Sequence, residues 1–351
     1  MVNINTSKPV MITGATGYVA GWVVKRLLDA GLTVHAPVRD PENAEKLKYL
    51  NELAEKAPGT IKYFKADLLE KGSYEESMTD CELVIHTASP FINRVKDPQR
   101  DLIDPALEGT RNVLESVNKT ETVKRVVLTS SVAAIMGDTM DLLEYPNKMA
   151  TEEQWNTSSS LDHQPYSYSK TLAEKEAWKI HNKQERWDLV VINPVLVIGP
   201  GISPNITSES FNIVKMMGDG SLKMGAPALN FGIVDVRDVA DAHYNAAFMP
   251  EASGRHILSA ENKDILDLAQ YLKDKFGEAY PFPKKNLPKW LLMLVGPMQG
   301  IKRKMIKRNV GYLWLVDNSK SKEKLGIEYR PIDVAIQEFF QQMIDQGVFK
   351  K

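Results

Sequence analysis

Val10-Met11-Ile12-Thr13-Gly14-Ala15-Thr16-Gly17-Tyr18-Val19-Ala20 carries a short apolar, β-branched run into two glycines and then into an amphipathic stretch. The pattern predicts a strand, a tight turn and a helix. Gly14 permits the turn, Gly17 lets the backbone approach a pyrophosphate, and small Ala20 lets the helix lie close on the strand. A helix that starts here aims free N–H groups and a partial positive charge at an anion, with Thr16, Tyr18 and Val19 beside it. The spacing departs from G-x-G-x-x-G, and an ordinary strand-to-helix turn reads the same way, so the surrounding sequence must decide.

Outward from this unit, strand-like runs recur at 10–13, 33–38, 61–64, 83–86, 125–129 and 189–192. Helical periodicity fills 18–30, 42–57, 73–79, 99–118 and 166–183. Such alternation predicts an α/β fold, a Rossmann-type doubly wound parallel sheet with a smaller C-terminal substrate-binding lobe. Residues 1–198 form the expected dinucleotide-binding domain, with 232–250 returning to it. The Gly-, Pro- and Met-rich stretch 199–231 and the tail 251–351 make the second lobe.

Composition narrows the partners. Forty-four basic residues balance 45 acidic ones, so no global field draws in nucleic acid or an anionic membrane. A small molecule is the expected partner, and a monomer or homodimer the expected state. The single cysteine, Cys81, excludes a disulfide framework and fits a reducing compartment as a buried, inert thiol. The absence of a leader pattern at residues 1–10 and of a long apolar run makes the cytoplasm the expected location. The histidines lack metal-ligand spacing, so no metal is expected. His86 reads as a core residue and His163, three before Tyr166, as a possible substrate contact. The basic run Lys302-Arg303-Lys304 with Lys307-Arg308 reads as a solvated face of a lid.

Dinucleotide folds that prefer NAD place an acidic residue at the end of the second strand. Here Val38-Arg39 stands there, and Arg39, with Lys46 one helical stretch on, suits a 2′-phosphate, so NADP(H) is the expected cofactor. Solvated surface cations are the alternative. Asp67-Leu68 follows the third strand on the adenine side, and Thr87-Ala88-Ser89 follows the fourth on the nicotinamide side.

Tyr166-Ser167-Tyr168-Ser169-Lys170 opens a helix and puts Tyr166 and Lys170 on one face. A free tyrosine has a pKa near ~10, and a neighbouring ammonium that stabilises its phenolate would let it exchange protons near neutrality. The spacing alone has little specificity, since Tyr271 to Lys275 and Tyr280 to Lys284 share it. Pro281 and Pro283 disqualify the second as a helical face, and the first lies in the other lobe. Tyr166 alone follows a strand ending in Ser130-Ser131. Alternation along the strand favours Ser131 over Ser130 for orienting a carbonyl oxygen, with a backbone-bonded hydroxyl as the alternative.

Taken in order, Thr13-Gly14-Ala15-Thr16-Gly17, Asp67-Leu68, Thr129-Ser130-Ser131, Tyr166-x-x-x-Lys170 and Asn193-Pro194 resemble the extended short-chain dehydrogenase/reductase superfamily across most of the chain. Pro37-Val38-Arg39-Asp40-Pro41, Gly109-Thr110-Arg111-Asn112-Val113-Leu114 and Ser169-Lys170-Thr171-Leu172-Ala173-Glu174 resemble its dihydroflavonol reductase-like branch, which includes microbial aldehyde and ketone reductases. The resemblance implies a catalytic triad of Ser131, Tyr166 and Lys170, with Arg39 and Lys46 on the 2′-phosphate and Pro194, Val195 and Leu196 against the nicotinamide. Two departures bear on substrate. Gln164-Pro165-Tyr166-Ser167-Tyr168 replaces the Asn-Trp-Tyr-Cys-Tyr of cinnamoyl-CoA reductases, and Met136 replaces the polar residue of flavonoid reductases. An apolar pocket around Phe91 and Met136 would suit a hydrophobic aldehyde, ketone or ketoester. A sugar-nucleotide epimerase or dehydratase and a non-catalytic dinucleotide sensor are the competing readings. Val132-Ala133-Ala134, after the strand-five serines, lacks the Thr-Asp-Glu of the dehydratases, and a sensor would commonly lack the tyrosine or lysine present here.

Overall fold

Strands that are apolar on both faces need cover on both faces, which a parallel sheet obtains from its crossover helices. In the computed structural model, which describes residues 2–89, 95–203 and 208–349, the first half alternates as the periodicity predicts. It runs β1 (Val10–Thr13), α1 (Tyr18–Asp29), β2 (Thr33–Val38), α2 (Ala44–Lys56), β3 (Thr60–Lys65), β4 (Leu83–His86), α3 (Asp104–Lys119), β5 (Arg125–Thr129), α4 (Pro165–His181) and β6 (Asp188–Pro194). Every residue of β1 and β4 is buried. The stretch 73–79 makes only one 3-10 turn, Glu76–Met78, because seven residues repay helix nucleation poorly. Pro105 sits in the first turn of α3, where its missing N–H costs nothing.

The second half adds β7 (Leu196–Ile198), α5 (Glu209–Gly218), β8 (Ala226–Pro227), β9 (Asn230–Asp235), α6 (Val236–Phe248), β10 (Gly254–Leu258), β11 (Glu261–Asp264), α7 (Ile265–Phe276), β12 (Asn286–Leu287), α8 (Lys289–Val295), α9 (Arg303–Asn309), α10 (Ser319–Leu325) and α11 (Ile332–Asp345). The main sheet has seven strands in the order β10-β6-β5-β4-β1-β2-β3. All of its pairings are parallel. Strand order reverses between β1 and β4, so the ends of these neighbours open the crevice where a doubly wound sheet takes its ligand.

Expected boundaries shift: Leu196–Ile198 and 232–235, placed in the first domain, pair in the second lobe's sheet. β10 pairs with β6 from Gly254↔Val190 to Leu258↔Pro194, so part of the tail assigned to the second lobe completes the first. Its sequence, Gly-Arg-His-Ile-Leu, is too polar at its start to announce a buried strand. The second lobe gathers around a three-stranded sheet, β11-β9-β7, and a separate apolar cluster that includes Val214, Leu268, Phe339 and Phe340. The lobes are joined through α1, whose Tyr18 hydroxyl donates to the Gly199 carbonyl at 2.6 Å and whose Trp22 donates to Pro200 at 2.7 Å.

Arg125, at the start of β5, is fully buried. It grips Asp188 with two bonds of 3.0 and 2.9 Å and collects carbonyls at the end of α6, including Met249 at 2.6 Å. Cys81 is buried as expected, and burial pushes its thiol up to about 12. Among the described residues no helix is long and apolar enough to cross a membrane, and no His, Cys, Asp or Glu cluster could hold a metal ion.

Candidate active site

The glycine turn is built as its residues dictate. Gly14 takes φ +70°, and a Cβ there would stand 3.1 Å from the Ala88 Cα, so the turn after β1 lies tight against the end of β4. Gly17 donates to the Gly14 carbonyl at 2.8 Å. No side chain caps α1, which leaves its first-turn N–H groups free for an anion. Thr13 locks the two strand ends together, its hydroxyl oxygen accepting from the backbone of Thr87 at 3.1 Å and of Ala88 at 3.0 Å. The Thr87 hydroxyl turns back to the Thr13 carbonyl, so of the expected trio it is Ala88 and Ser89 that line the cavity beside Lys170. Arg39 and Lys46 are exposed. The Asp67 carboxylate accepts from Leu69 N–H at 2.9 Å, and Leu68 covers Gly109 so closely that a Cβ there would meet it at 2.5 Å.

Tyr166 and Lys170 begin α4 on one face, with the lysine Nζ 6.0 Å from the tyrosine ring centre and donating to the Ser89 hydroxyl at 3.1 Å. Tyr166 keeps 51% of its surface exposed. Burial nevertheless pushes its phenol above the usual value; the Ser131 hydroxyl pulls it down and Glu209 adds a push upward. The Lys170 ammonium is not among the groups that move it. Burial lowers Lys170 to about 8, opposed by the carboxylate of Glu174. The Ser131 hydroxyl oxygen also accepts from Ala133 N–H at 3.1 Å, while Ser130 is turned away and donates to Glu174.

A family model described as the NAD dependent epimerase/dehydratase family matches residues 10–258. The chain belongs to that family. It is 37% identical over 352 residues to cinnamoyl-CoA reductase CAD2 of Medicago truncatula, spanning 98% of both chains. It is 34% identical to dihydroflavonol 4-reductase of Gerbera hybrida, over 77% of this chain and 73% of that one. The solved structure of Gre2 from Candida albicans in complex with NADPH superposes with a TM-score of 0.75 at 28% identity, covering 97% of this chain and 99% of that one. These relatives make the chain an oxidoreductase of the dihydroflavonol reductase-like branch, as its motifs implied.

Beneath Tyr166 and Lys170 lies a carboxylate that the sequence reading quoted within a motif but gave no role. Glu174, one turn after Lys170 and 1% exposed, accepts from Asn193 Nδ2 at 2.8 Å and from Arg255 Nε at 2.6 Å. Asn193 also donates to the Ser131 carbonyl at 3.1 Å, and the Arg255 guanidinium lies 4.0 Å over the Trp155 ring. Arg255 arrives on β10, so its partner is invisible to local pattern. Pro194 and Val195, expected against the nicotinamide, are buried. Val195 packs in the core and donates to the Leu258 carbonyl at 3.1 Å, and Leu196 starts β7 in the second sheet.

Several expected contacts are reassigned. Met136 is 3% exposed and packs in the core, so it fills the interior instead of lining an open pocket. Phe91 lies outside the described residues. His163 is 3% exposed and its Nε2 meets both Asp138 oxygens at 2.9 Å, which leaves that nitrogen nothing for a substrate. His86 is the core residue expected, bonded to the Thr13 hydroxyl at 2.9 Å and lowered by burial to about 3. Arg308 is no solvated cation either, since it donates to Asp138 and, at 2.6 Å, to Asp141.

Proposed function

We propose that this chain reduces the carbonyl of an aldehyde, ketone or ketoester to the alcohol, with NADPH as hydride source and Tyr166 as proton donor. The observation that carries the reading is geometric: the Tyr166 phenol is half exposed, hydrogen-bonded to the Ser131 side chain, and has Lys170 Nζ 6.0 Å from its ring centre. Reduction needs a proton donor, and a phenol raised by burial holds its proton until an alkoxide forms.

The residues present fit the cofactor. The uncapped start of α1 and the close turn at Gly14, Thr16 and Gly17 would take the pyrophosphate, with Tyr18 and Val19 supplying first-turn N–H groups. Arg39 and Lys46, which meet no carboxylate among the described residues, would take a 2′-phosphate; Gre2 was solved with NADPH. Asp67, Leu68, Ala88, Ser89 and Lys170 would line the remainder. When bound, NADPH supplies hydride from its nicotinamide to the carbonyl carbon. Ser131 then orients the carbonyl oxygen, Tyr166 protonates it, and the Lys170 ammonium steadies the tyrosine as it loses its proton.

Two departures bear on substrate class. Gln164-Pro165 stands where cinnamoyl-CoA reductases carry other residues, and the chain carries Met136, packed in the core, where flavonoid reductases carry a polar residue. A hydrophobic aldehyde, ketone or ketoester fits these departures, and a lone buried cysteine fits a cytoplasmic setting.

The test is a panel of such substrates with NADPH and NADH, followed by reduced-nicotinamide absorbance, for the parent and Tyr166→Phe. The variant is expected to lose roughly 10²–10⁴ in kcat with NADPH affinity retained. Equal rates would refute the assignment, and turnover without net NADPH oxidation would point to the epimerase reading.

A further inference from the structure

The residue that starts the catalytic helix is held in an unusual way. Gln164 is the N-cap of α4 and takes φ 54° and ψ 57°, a left-handed conformation that a residue with a side chain adopts only when its surroundings insist on it. Tyr166 follows two positions later, so the turn at Gln164 sets the direction in which the tyrosine leaves the loop.

The Gln164 Oε1 accepts from the Ser167 hydroxyl of its own helix at 3.2 Å; what holds Gln164 from outside the helix is one buried carboxylate. Asp138 is fully buried, in the loop that follows β5. One of its oxygens accepts from Gln164 Nε2 at 2.6 Å and both accept from His163 Nε2. On its other side stand two side chains of α9: Arg308, bonded to one oxygen, and Asn309, whose Nδ2 donates to the other at 2.7 Å. Asn309 Oδ1 accepts in turn from the backbone of Thr139 at 2.9 Å. A carboxylate in so dry a place persists only with its partners in position, so the place of Gln164 and the docking of α9 depend on the same two oxygens.

We propose that Asp138 is a positioning residue for Tyr166: it fixes the left-handed turn at Gln164 and thereby couples docking of α9 in the second lobe to the placement of the proton donor. The device touches neither hydride nor carbonyl. It decides how often the phenol stands where the carbonyl oxygen will be, and misplacement by about 1 Å can cost about 100-fold in rate. The inference rests on the reading of Tyr166 as proton donor.

The test uses the full chain with NADPH and an active carbonyl substrate, comparing Gln164→Gly, Arg308→Gln, the double variant and Asp138→Asn, with Tyr166→Phe alongside. Glycine enters the left-handed region freely, so Gln164→Gly removes the amide link while relieving the backbone. Expected are an unchanged or higher Tm, unchanged NADPH affinity by fluorescence titration, a kcat at least tenfold lower with KM moved less, and a larger solvent deuterium isotope effect on kcat. Arg308→Gln lowers kcat in the same manner, and the double variant is no worse than the poorer single, as expected of groups that act through one device. Asp138→Asn follows the same pattern if it folds, and the other variants decide the matter if it does not. A kcat for Gln164→Gly that is unchanged, or that falls only in step with Tm, overturns the proposal, and so do multiplicative effects in the double variant. Should Tyr166→Phe remain fully active, the proton-donor reading itself has failed; should only Tyr166→Phe be impaired, the failure belongs to the positioning inference.

Discussion

At the scale of single residues, burial moves the titratable groups of the candidate site more than the charges around them do. Lys170 lies low at about 8 because protein has replaced water around it, so its ammonium is intact below that pH and is lost above it. If the ammonium supports reduction, kcat/KM should fall along an alkaline limb centred near 8. A profile flat to pH 10 would show that its charge is not needed. Arg39 is the second residue with a measurable consequence. Removing one charge-assisted contact to a phosphate costs on the order of 10–100-fold in affinity, so Arg39→Ala should weaken NADPH binding by about that factor and leave NADH binding nearly unchanged. Equal weakening of both would remove Arg39 from the 2′-phosphate. Tyr166, Lys170 and Ser131 were legible because family motif and strand position agreed. Asp138 and Glu174 were not, because a buried carboxylate is recognised by its partners, and these come from 163–164, 193, 255 and 308–309.

Elements were legible where local pattern is strong. β1, β2, β4 and β5 end where alternation and turn residues say, since a buried parallel strand and its glycine turn are determined within a few residues. Gly14→Ala tests the first of these turns. A left-handed alanine costs about 1–2 kcal/mol, and the added Cβ would press on Ala88, so thermal stability and NADPH affinity should fall together. Loss of affinity without loss of stability would mean that the turn gives way without strain. Arg125 tests the seam between β5 and α6. With Asp188 and several carbonyls left without their donor, Arg125→Met should cost about 3–5 kcal/mol in urea unfolding; a loss under 1 kcal/mol would show that water replaces the guanidinium.

For the molecule as a whole, the decisive addition is β10, which follows α6 into the main sheet and carries Arg255 under α4. Arg255→Met would leave the buried Glu174 carboxylate short of its cation. Stability should fall by about 3 kcal/mol, and the less compensated carboxylate should raise Lys170 and move the alkaline limb upward. A limb that stayed in place or moved down would show that Glu174 does not reach Lys170. By itself the sequence determined the alternating units, the glycine turn, the family and the tyrosine–lysine pair, because each is written in residues a few positions apart and obeys a short period. Only the tertiary structure decided that the phenol rests raised, that β10 belongs to the main sheet, and that Met136, His163 and Arg308 serve the interior. Burial and the choice of partners for buried charges arise from segments up to 171 positions apart, and no local period records them.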